Sequence, residues 1–186
     1  MASYFKNHFL VAMPGLEDPG FEQTVTYICE HHKGGAMGIV INQPITITVG
    51  ELFGQLKLDI SQLPLGEQPL HYGGPVQKER GFVLHSNSDK KWESTLPVSD
   101  EIHITGSSDI FTDMADDNGP EHALIALGYA GWDANQLENE IADNRWLIVP
   151  GDAEILFETA HQDRWLASAR KLGIDLNLMA SQPGNA

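Results

Sequence analysis

Residues 24–44 read as a strand, a tight turn and a returning strand, and this stretch constrains the fold more than any other part of the chain. "TVTYICEHH" (24–32) is rich in β-branched and aromatic residues, which favour extended backbone. "KGG" (33–35) supplies glycines that adopt the positive φ of a hairpin turn. "AMGIVINQP" (36–44) is the returning strand, ended by a proline that lacks a backbone donor. An antiparallel sheet is therefore predicted.

The rest of the chain alternates further strand candidates with short helical segments. The segments "RGFVLHS", "HALIALGYAGW" and "RWLIVP" are apolar and bounded by turn residues, which predicts strands. "EIHIT" (101–105) alternates, which predicts a strand with one solvent-exposed face. Residues 48–58 carry apolar side chains at helical spacing and predict a short amphipathic helix.

Strand pairs mixed with separate helices favour an α+β fold over repeated βαβ units. The chain has 186 residues, about the length of one domain, and no internal repeat or linker divides it. A single domain over residues 1–186 is predicted. The polar tail, residues 177–186, is expected to be flexible.

The charge balance bears on the class of partner. The chain has 26 acidic and 11 basic residues, a formal net charge of −15. Nucleic-acid binding depends mainly on Lys and Arg contacts to phosphates, and here the basic residues are scattered, so direct DNA binding is disfavoured. A basic patch assembled by the fold is the alternative.

Several features favour a cytoplasmic protein. The single cysteine, Cys29, excludes an internal disulfide and fits a reducing compartment. The apolar run 9–13 is too short for a signal-peptide core or a membrane span. A cytoplasmic location without membrane attachment is expected.

The cluster Cys29–Glu30–His31–His32 admits three interpretations. Residues two apart in a strand share a face, so Cys29 and His31 are expected to point the same way. A histidine near the thiol would lower its pKa and support a nucleophilic or redox role. A tetrahedral metal site needs more ligands than this pattern offers, so no metal is predicted. The favoured interpretation is a buried cysteine at the end of a hairpin.

Three other places carry candidate residues. The turn "HYGGPV" exposes backbone N–H groups that an anion would accept, although a plain glycine turn is favoured. His85, followed by a serine, is a candidate for half of a catalytic pair. Gln136 and Glu138, near a strand-to-helix junction, either line a pocket or belong to a solvated helix face.

Taken together, several segments resemble the AlgH/YqgE family of bacterial proteins. They are "MPGLEDPGFEQTVTYICEHHKGGAMGIVINQP", "GGPV", "RGFVLHS", "ALGYAGWDANQLENEI" and "NRWLIVP", in this order, and the similarity runs from about residue 8 to residue 176. The resemblance implies one α+β domain with a bulged, mixed or partly barrel-like β-sheet and surrounding helices. It also implies a cytoplasmic bacterial protein with a transcriptional-regulator label, and no particular reaction. Positions that match the family's motifs include Cys29, Glu30, His31, Asn42, Gly73, Gly74, Pro75, His85, Gln136 and Glu138.

The leading hypothesis is a cytosolic regulatory or binding module that acts through a small ligand or a protein partner rather than by direct DNA binding. Its site would bring Cys29, His31 and His85 near the Gly73–Gly74 turn. The alternatives are an enzyme or redox protein that uses the Cys29 thiol, and a direct transcriptional regulator. No cofactor and a monomeric state are expected. The residues predicted to bind a ligand or partner are Glu30, Asn42, Gly73, Gly74, Pro75, Gln136 and Glu138.

Overall fold

A computed structural model describes residues 4–16, 18 and 20–181 and has an α+β fold, as predicted. In the described part, a curled, mainly antiparallel half-barrel sheet is flanked by six α-helices, none of them long and apolar enough to cross a membrane. The strands are β1 (His8–Ala12), β2 (Val25–His32), β3 (Gly35–Val40), β4 (Pro44–Thr48), β5 (Pro69–Tyr72), β6 (Val76–Ser86), β7 (Thr95–Pro97), β8 (Ile102–Thr105), β9 (Ala123–Asp133) and β10 (Trp146–Pro150). The helices are α1 (Val49–Gln55), α2 (Asp109–Ala115), α3 (Gln136–Ala142), α4 (Ala153–Phe157), α5 (Arg164–Arg170) and α6 (Leu176–Ser181).

The long strand β9 joins the two halves of the sheet, whose order is β10-β1-β2-β3-β9-β6-β8-β7. Its last residues, 130–133, pair with β3, and its first residues pair with β6 and, in parallel, with β5. Gly128, at a φ of 79°, lies between the two segments in a conformation that L side chains rarely adopt. The sheet curls because one strand serves both halves with a break in its regular pleat.

Helices cover both faces of this sheet. One face packs against α4, α5 and α6 in the largest core cluster, which includes Phe9, Tyr27 and Leu84. On the other face, α1 and α2 cover one half, and α3 covers the other half through Leu137. Because each strand between these layers is apolar on two faces, near-continuous apolar runs such as the one in β9 are expected.

The hairpin of β2 and β3 contains a β-bulge at Cys29. Ile28 pairs with Gly38, and Glu30 pairs with the very next residue along β3, Met37, which leaves Cys29 as the extra residue. A bulge resets the alternation of side chains between the two faces. The strands were predicted from the sequence, but the bulge was not.

Two local expectations need correction. All four residues of β8 are buried, so the prediction of an exposed face for 101–105 is wrong, because Ile102 and Ile104 pack in the largest core cluster while His103 and Thr105 contact His85. The helix predicted over 48–58 is shorter, starting after a Thr48–Glu51 capping box. Helix α6 extends to Ser181, within the tail 177–186 whose flexibility stays a prediction, and residues 182–186 lie outside the described residues.

Candidate functional site

Cys29 lies in the hydrophobic core. Its side chain is 0% exposed, packs among the apolar residues of the largest cluster, and donates weakly to the carbonyl of Tyr27 at 3.7 Å. Burial, with a smaller contribution from the Glu30 charge, raises the pKa of the thiol far above its ordinary value. A thiol nucleophile needs an accessible thiolate. This position gives no access, and the charge of Lys6 lowers the pKa of the thiol less than burial raises it.

His31 points to the opposite face from Cys29, so the prediction that they share a face is wrong. The bulge at Cys29 pairs His31 with Ala36, whose cluster includes Ile28 and Leu137 rather than the neighbours of Cys29. An extra residue in a strand shifts all later side chains by one face, and the sequence alternation could not reveal it.

The His31 ring connects β2, the N-terminal segment and α3. Its Nδ1 accepts a hydrogen bond from the Phe5 backbone N–H at 2.9 Å, which leaves Nε2 to donate to Glu138 Oε1 at 2.8 Å. Burial acts to raise the pKa of Glu138, but hydrogen bonds from its own backbone N–H and from His31 outweigh burial and hold the pKa below its ordinary value. The two predicted residues therefore meet, in a contact that fastens helix α3 to the sheet.

Gln136 also has a local partner. Its Oε1 accepts from the Asp133 backbone N–H at 3.0 Å, and its Nε2 donates to Glu140 at 3.3 Å. Glu140 in turn accepts from the indole N–H groups of Trp132 and Trp146 at 2.8 and 3.0 Å. The polar side chains of α3 thus hold the junction between β9, α3 and β10.

His85 is fully buried in a chain of hydrogen bonds between β6, β8 and β7. Its Nδ1 donates to the Ser86 carbonyl at 2.9 Å, so Nε2 accepts from the Thr105 hydroxyl at 2.7 Å. Thr105 accepts from Thr95 at 2.9 Å, and Thr95 accepts from the Trp92 backbone N–H at 3.0 Å. Burial lowers the pKa of His85, which keeps the ring neutral in this network.

The Gly73–Gly74–Pro75 turn presses directly on the backbone of β9. A Cβ on Gly73 would lie 2.3 Å from the Gly128 carbonyl oxygen, and one on Gly74, at a φ of 154°, would lie 2.1 Å from the Tyr129 carbonyl carbon. The Gly73 N–H donates to Leu127, and its carbonyl accepts from Val40. This close packing of backbone on backbone accounts for both glycines.

The two remaining candidates also have defined positions. Asn42 accepts from the Val25 N–H and donates to the Gln23 carbonyl, both at 2.9 Å, which closes the open end of the hairpin. Glu30 is exposed and lines an open cleft of about 660 Å³ together with His32, Met37 and Tyr129.

The structure does not gather Cys29, His31 and His85 into the one site that the leading hypothesis placed near the glycine turn. Strands β3 and β9 separate β2 from β6, and the bulge sends Cys29 and His31 to opposite faces. Among the described residues, His31 and Glu138 are the only two predicted site residues whose side chains hydrogen-bond to each other.

A different cleft, of about 550 Å³, carries polar groups without partners. It lies between β5, the segment after α2, and the segment from α4 to the start of α5. Its polar and charged lining residues are Gln68, His71, Asp117, Glu121, His122, Glu158, Thr159, His161 and Arg164.

His71, on β5, faces this cleft with an unusual hydrogen-bonding state. The residue is 7% exposed, and neither ring nitrogen has a hydrogen-bond partner among the described residues. Burial, with smaller contributions from the positive Arg164 and from His161, lowers the pKa of His71 to about 4. The Ile125 backbone opposes this shift slightly without forming a hydrogen bond of normal geometry. At neutral pH the ring therefore holds one free donor and one free acceptor.

Arg164, the first residue of α5, brings a buried positive charge to the same cleft. The residue is 6% exposed, and its guanidinium donates to the backbone carbonyls of Ile155 (3.0 Å) and Ile41. No carboxylate of the described residues lies within ion-pair distance of it. Burial lowers the pKa of Arg164 to about 10, well above neutral pH, so the group stays charged.

The remaining groups of the cleft lie nearer to solvent. The His161 ring contacts His71 edge-on at 6.4 Å between centroids, and His122 stacks on Phe157. Asp117, Glu121 and Glu158 are exposed. Nowhere in the described part of the chain do three His, Cys, Asp or Glu side chains gather as a metal ion would require.

Sequence reasoning did not select His71 and Arg164. His71 lies in the segment "LHYGGPV", whose glycines predict a turn, and Arg164 lies in "DRWLASAR" beside Trp165. The sequence signal that could have identified Arg164 is its position one helical turn before Ser168, which places an arginine on the buried side of α5. Only the tertiary structure places both residues at one cleft.

Comparison with known proteins gives a consistent result. A family model described as AlgH-like matches residues 9–177. UPF0301 proteins are similar, one from Thioalkalivibrio sulfidiphilus (51% identical over 185 residues, covering 100% of this chain and 98% of that protein) and one from Chromohalobacter salexigens (49% over 181 residues, 97% and 98%). The solution structure of the AlgH protein from Pseudomonas aeruginosa has a TM-score of 0.80 at 45% identity, covering 100% of this chain and 99% of that one. A crystal structure from Corynebacterium diphtheriae, 16% identical, has a TM-score of 0.78 with 97% and 94% covered and shows the fold alone.

Proposed function

This chain belongs to the AlgH-like family, and on that premise we propose that it is a cytosolic regulatory module that binds a small ligand in the cleft beside His71. The regulatory role comes from the family resemblance. The binding site comes from the geometry of the cleft, and it replaces the site centred on Cys29.

The observation that carries the proposal is the pair of unpartnered ring nitrogens on His71. Most buried polar groups in folded proteins are hydrogen-bonded, and leaving one unsatisfied costs about 1–3 kcal/mol. No hydrogen bond between the imidazole and another element of the described residues offsets this cost. A ligand that hydrogen-bonds to the ring would offset it.

A small ligand fits better than a protein partner, because the unpartnered nitrogens are buried in the lining of the cleft. A cleft of about 550 Å³ also falls within the usual range of small-molecule sites. Its lining is mixed, with apolar side chains such as Leu65 and Met114 beside the polar groups.

Neither alternative gains support from the geometry. The thiol enzyme needs Cys29 at the surface, and the residue is fully buried. Direct DNA binding needs a basic surface, whereas the net charge is −15 and the buried Arg164 is no part of a surface patch. A gel-shift assay on random duplex DNA at low salt checks this point, and retained DNA whose affinity falls steeply with salt would restore the DNA-binding hypothesis.

The proposal is tested by NMR on histidine-labelled protein with a panel of metabolites that covers neutral, cationic and anionic compounds. We expect at least one compound to shift the His71 ring resonances saturably, and His71→Leu to weaken that compound's binding at least tenfold. His32→Gln, at the other cleft, is the control and should leave binding unchanged. A panel in which nothing moves the His71 resonances would refute the proposal.

A further inference from the structure

We infer that the ligand of this cleft carries an oxyanion, a carboxylate or a phosphate monoester, which Arg164 and His71 hold while the rest of the ligand contacts apolar side chains. This inference rests on the proposed function and names the chemical class of the ligand.

The first argument is the uncompensated charge of Arg164. A buried cation is costly unless it is paired, and buried arginines commonly pair with a carboxylate or phosphate. Here two backbone carbonyls satisfy part of the guanidinium, and no carboxylate of the described residues neutralises it. Three of its five N–H donors have no hydrogen-bond partner within the part of the chain that the structure describes. An anion in the cleft would supply the missing charge.

The second argument is the donor on His71. A neutral imidazole carries its proton on either nitrogen, and its hydrogen bonds normally fix which one. In His71 neither nitrogen has such a bond among the described residues, so either tautomer can present its N–H to an oxyanion. The cation of Arg164 and a neutral donor at the same cleft are the two kinds of group that oxyanion sites combine.

The distribution of the other charges limits what can enter. His161 and the ring of His122 face the cleft, and three acids also line it: Asp117 at the end of α2, Glu121 before β9 and Glu158 after α4. All three acids are exposed, where solvent and salt screen their charges, whereas Arg164 is buried and much less screened. A small anion that passes this acidic rim meets a positive interior, but a polyanion would be repelled at the rim.

The remaining lining is apolar. Side chains of β9, the helices α1, α2 and α4, and the segment before β5 contribute an extended apolar wall, which favours an anion on a partly apolar body over bare phosphate. The apolar residues of this wall are Val49, Leu63, Leu65, Met114, Leu124, Ile125, Leu156 and Phe157.

Four aromatic probes test which charge the ligand carries: benzoate, phenyl phosphate, neutral benzamide and cationic benzylamine. Each is titrated against labelled protein with sodium chloride held constant. We expect benzoate or phenyl phosphate to shift the resonances of His71 and Arg164 with a dissociation constant at least tenfold lower than that of benzamide. Whichever of the two anions binds more tightly identifies carboxylate or phosphate as the preferred group. Benzylamine should not bind.

The matched variants are Arg164→Gln and Arg170→Gln, which remove one positive charge from the buried start and the exposed end of the same helix. Arg164→Gln should abolish the preference for the anions, and Arg170→Gln should preserve it. If Arg164→Gln fails to fold, His71→Leu tests the same site and should weaken the anions at least tenfold.

The failures are distinguishable. If benzamide or benzylamine shifts the His71 resonances with the same affinity as the anions, the oxyanion inference is overturned. The proposed ligand-binding function would still stand. An anion preference that survives Arg164→Gln would also overturn the inference. If none of the four probes and no compound of the metabolite panel binds, both fall.

Discussion

Replacing His71 by leucine is expected to stabilise the protein and to remove part of its sensitivity to acid. Leucine has nearly the volume of histidine and no polar atoms, so the variant no longer buries two unsatisfied nitrogens. The stabilisation at neutral pH should be roughly 1–3 kcal/mol, the usual cost of one unsatisfied buried group. A substitution that improves stability at a proposed binding position is the pattern that functional sites commonly give.

The pH dependence follows from the pKa of the same ring. In the unfolded chain the imidazole takes up a proton near its ordinary pKa of 6.5, whereas in the folded protein burial delays protonation until about pH 4. Protons therefore favour the unfolded state between these values. Above about pH 6.5 the titration of His71 takes no stability from the folded protein. As the pH falls from there toward 4, the free energy of unfolding decreases progressively, because only the unfolded chain binds the proton. The complete loss amounts to about 3 kcal/mol, of which about 1.2 kcal/mol is lost by roughly pH 5.5.

Urea unfolding of wild type and variant at about pH 7 and about pH 5.5 measures this difference, above the pI of about 4.7 where solubility is lowest. The gap between the two free energies of unfolding should widen by about 1.2 kcal/mol at the lower pH. Contributions from His85 and His103, whose pKa values burial also lowers, cancel because both proteins contain them. An unchanged gap, or an NMR titration that gives His71 a pKa near 6.5, would refute the reasoning.

Three further predictions concern residues away from the cleft. Iodoacetamide should leave Cys29 unmodified in the native protein at pH up to about 8.5, the ordinary thiol pKa, and react in urea, as intact-mass spectrometry would report; rapid native alkylation would contradict the burial. Gly74→Ala should destabilise by about 3 kcal/mol or more, because its Cβ would overlap the β9 backbone, whereas Gly54→Ala on α1, with no atom within 4 Å of its Cβ, should stabilise by about 0.5–1 kcal/mol. Thermal or urea unfolding of the pair decides this, and similar effects at both sites would be inconsistent with the packing. His31→Ala should speed hydrogen exchange of the Phe5 amide at least tenfold, because that amide donates to His31 Nδ1, and unchanged exchange would mean that the bond is not formed in solution.

The extent of the fold that the sequence predicted has a physical basis. Periodic apolar patterns and turn residues report local preference, so the β2–β3 hairpin, β9 and the α+β class were predicted correctly. The bulge at Cys29 leaves no such mark, because it depends on how β2 registers against β3. That single residue determines which face His31 occupies.

The candidate site was less predictable because its residues are distant in sequence and ordinary in type. Histidines and a lone cysteine in one short segment are typical of a reactive or metal site, yet each has a structural partner or a buried position. His71 and Arg164 are 93 positions apart and lie in segments without a motif. What marks them is the lack of partners, which only a folded structure can reveal.

The shared strand β9 has a mechanical consequence. Since it hydrogen-bonds to β3 on one side and to β6 and β5 elsewhere along its length, neither half of the sheet has a complete set of neighbours without it. Pulling this strand out would release both halves at once, and a gene fragment ending before residue 123 would encode strands with open edges on both sides of the missing one. We therefore expect the two halves of the sheet, among the described residues, to lose their structure together when β9 is removed.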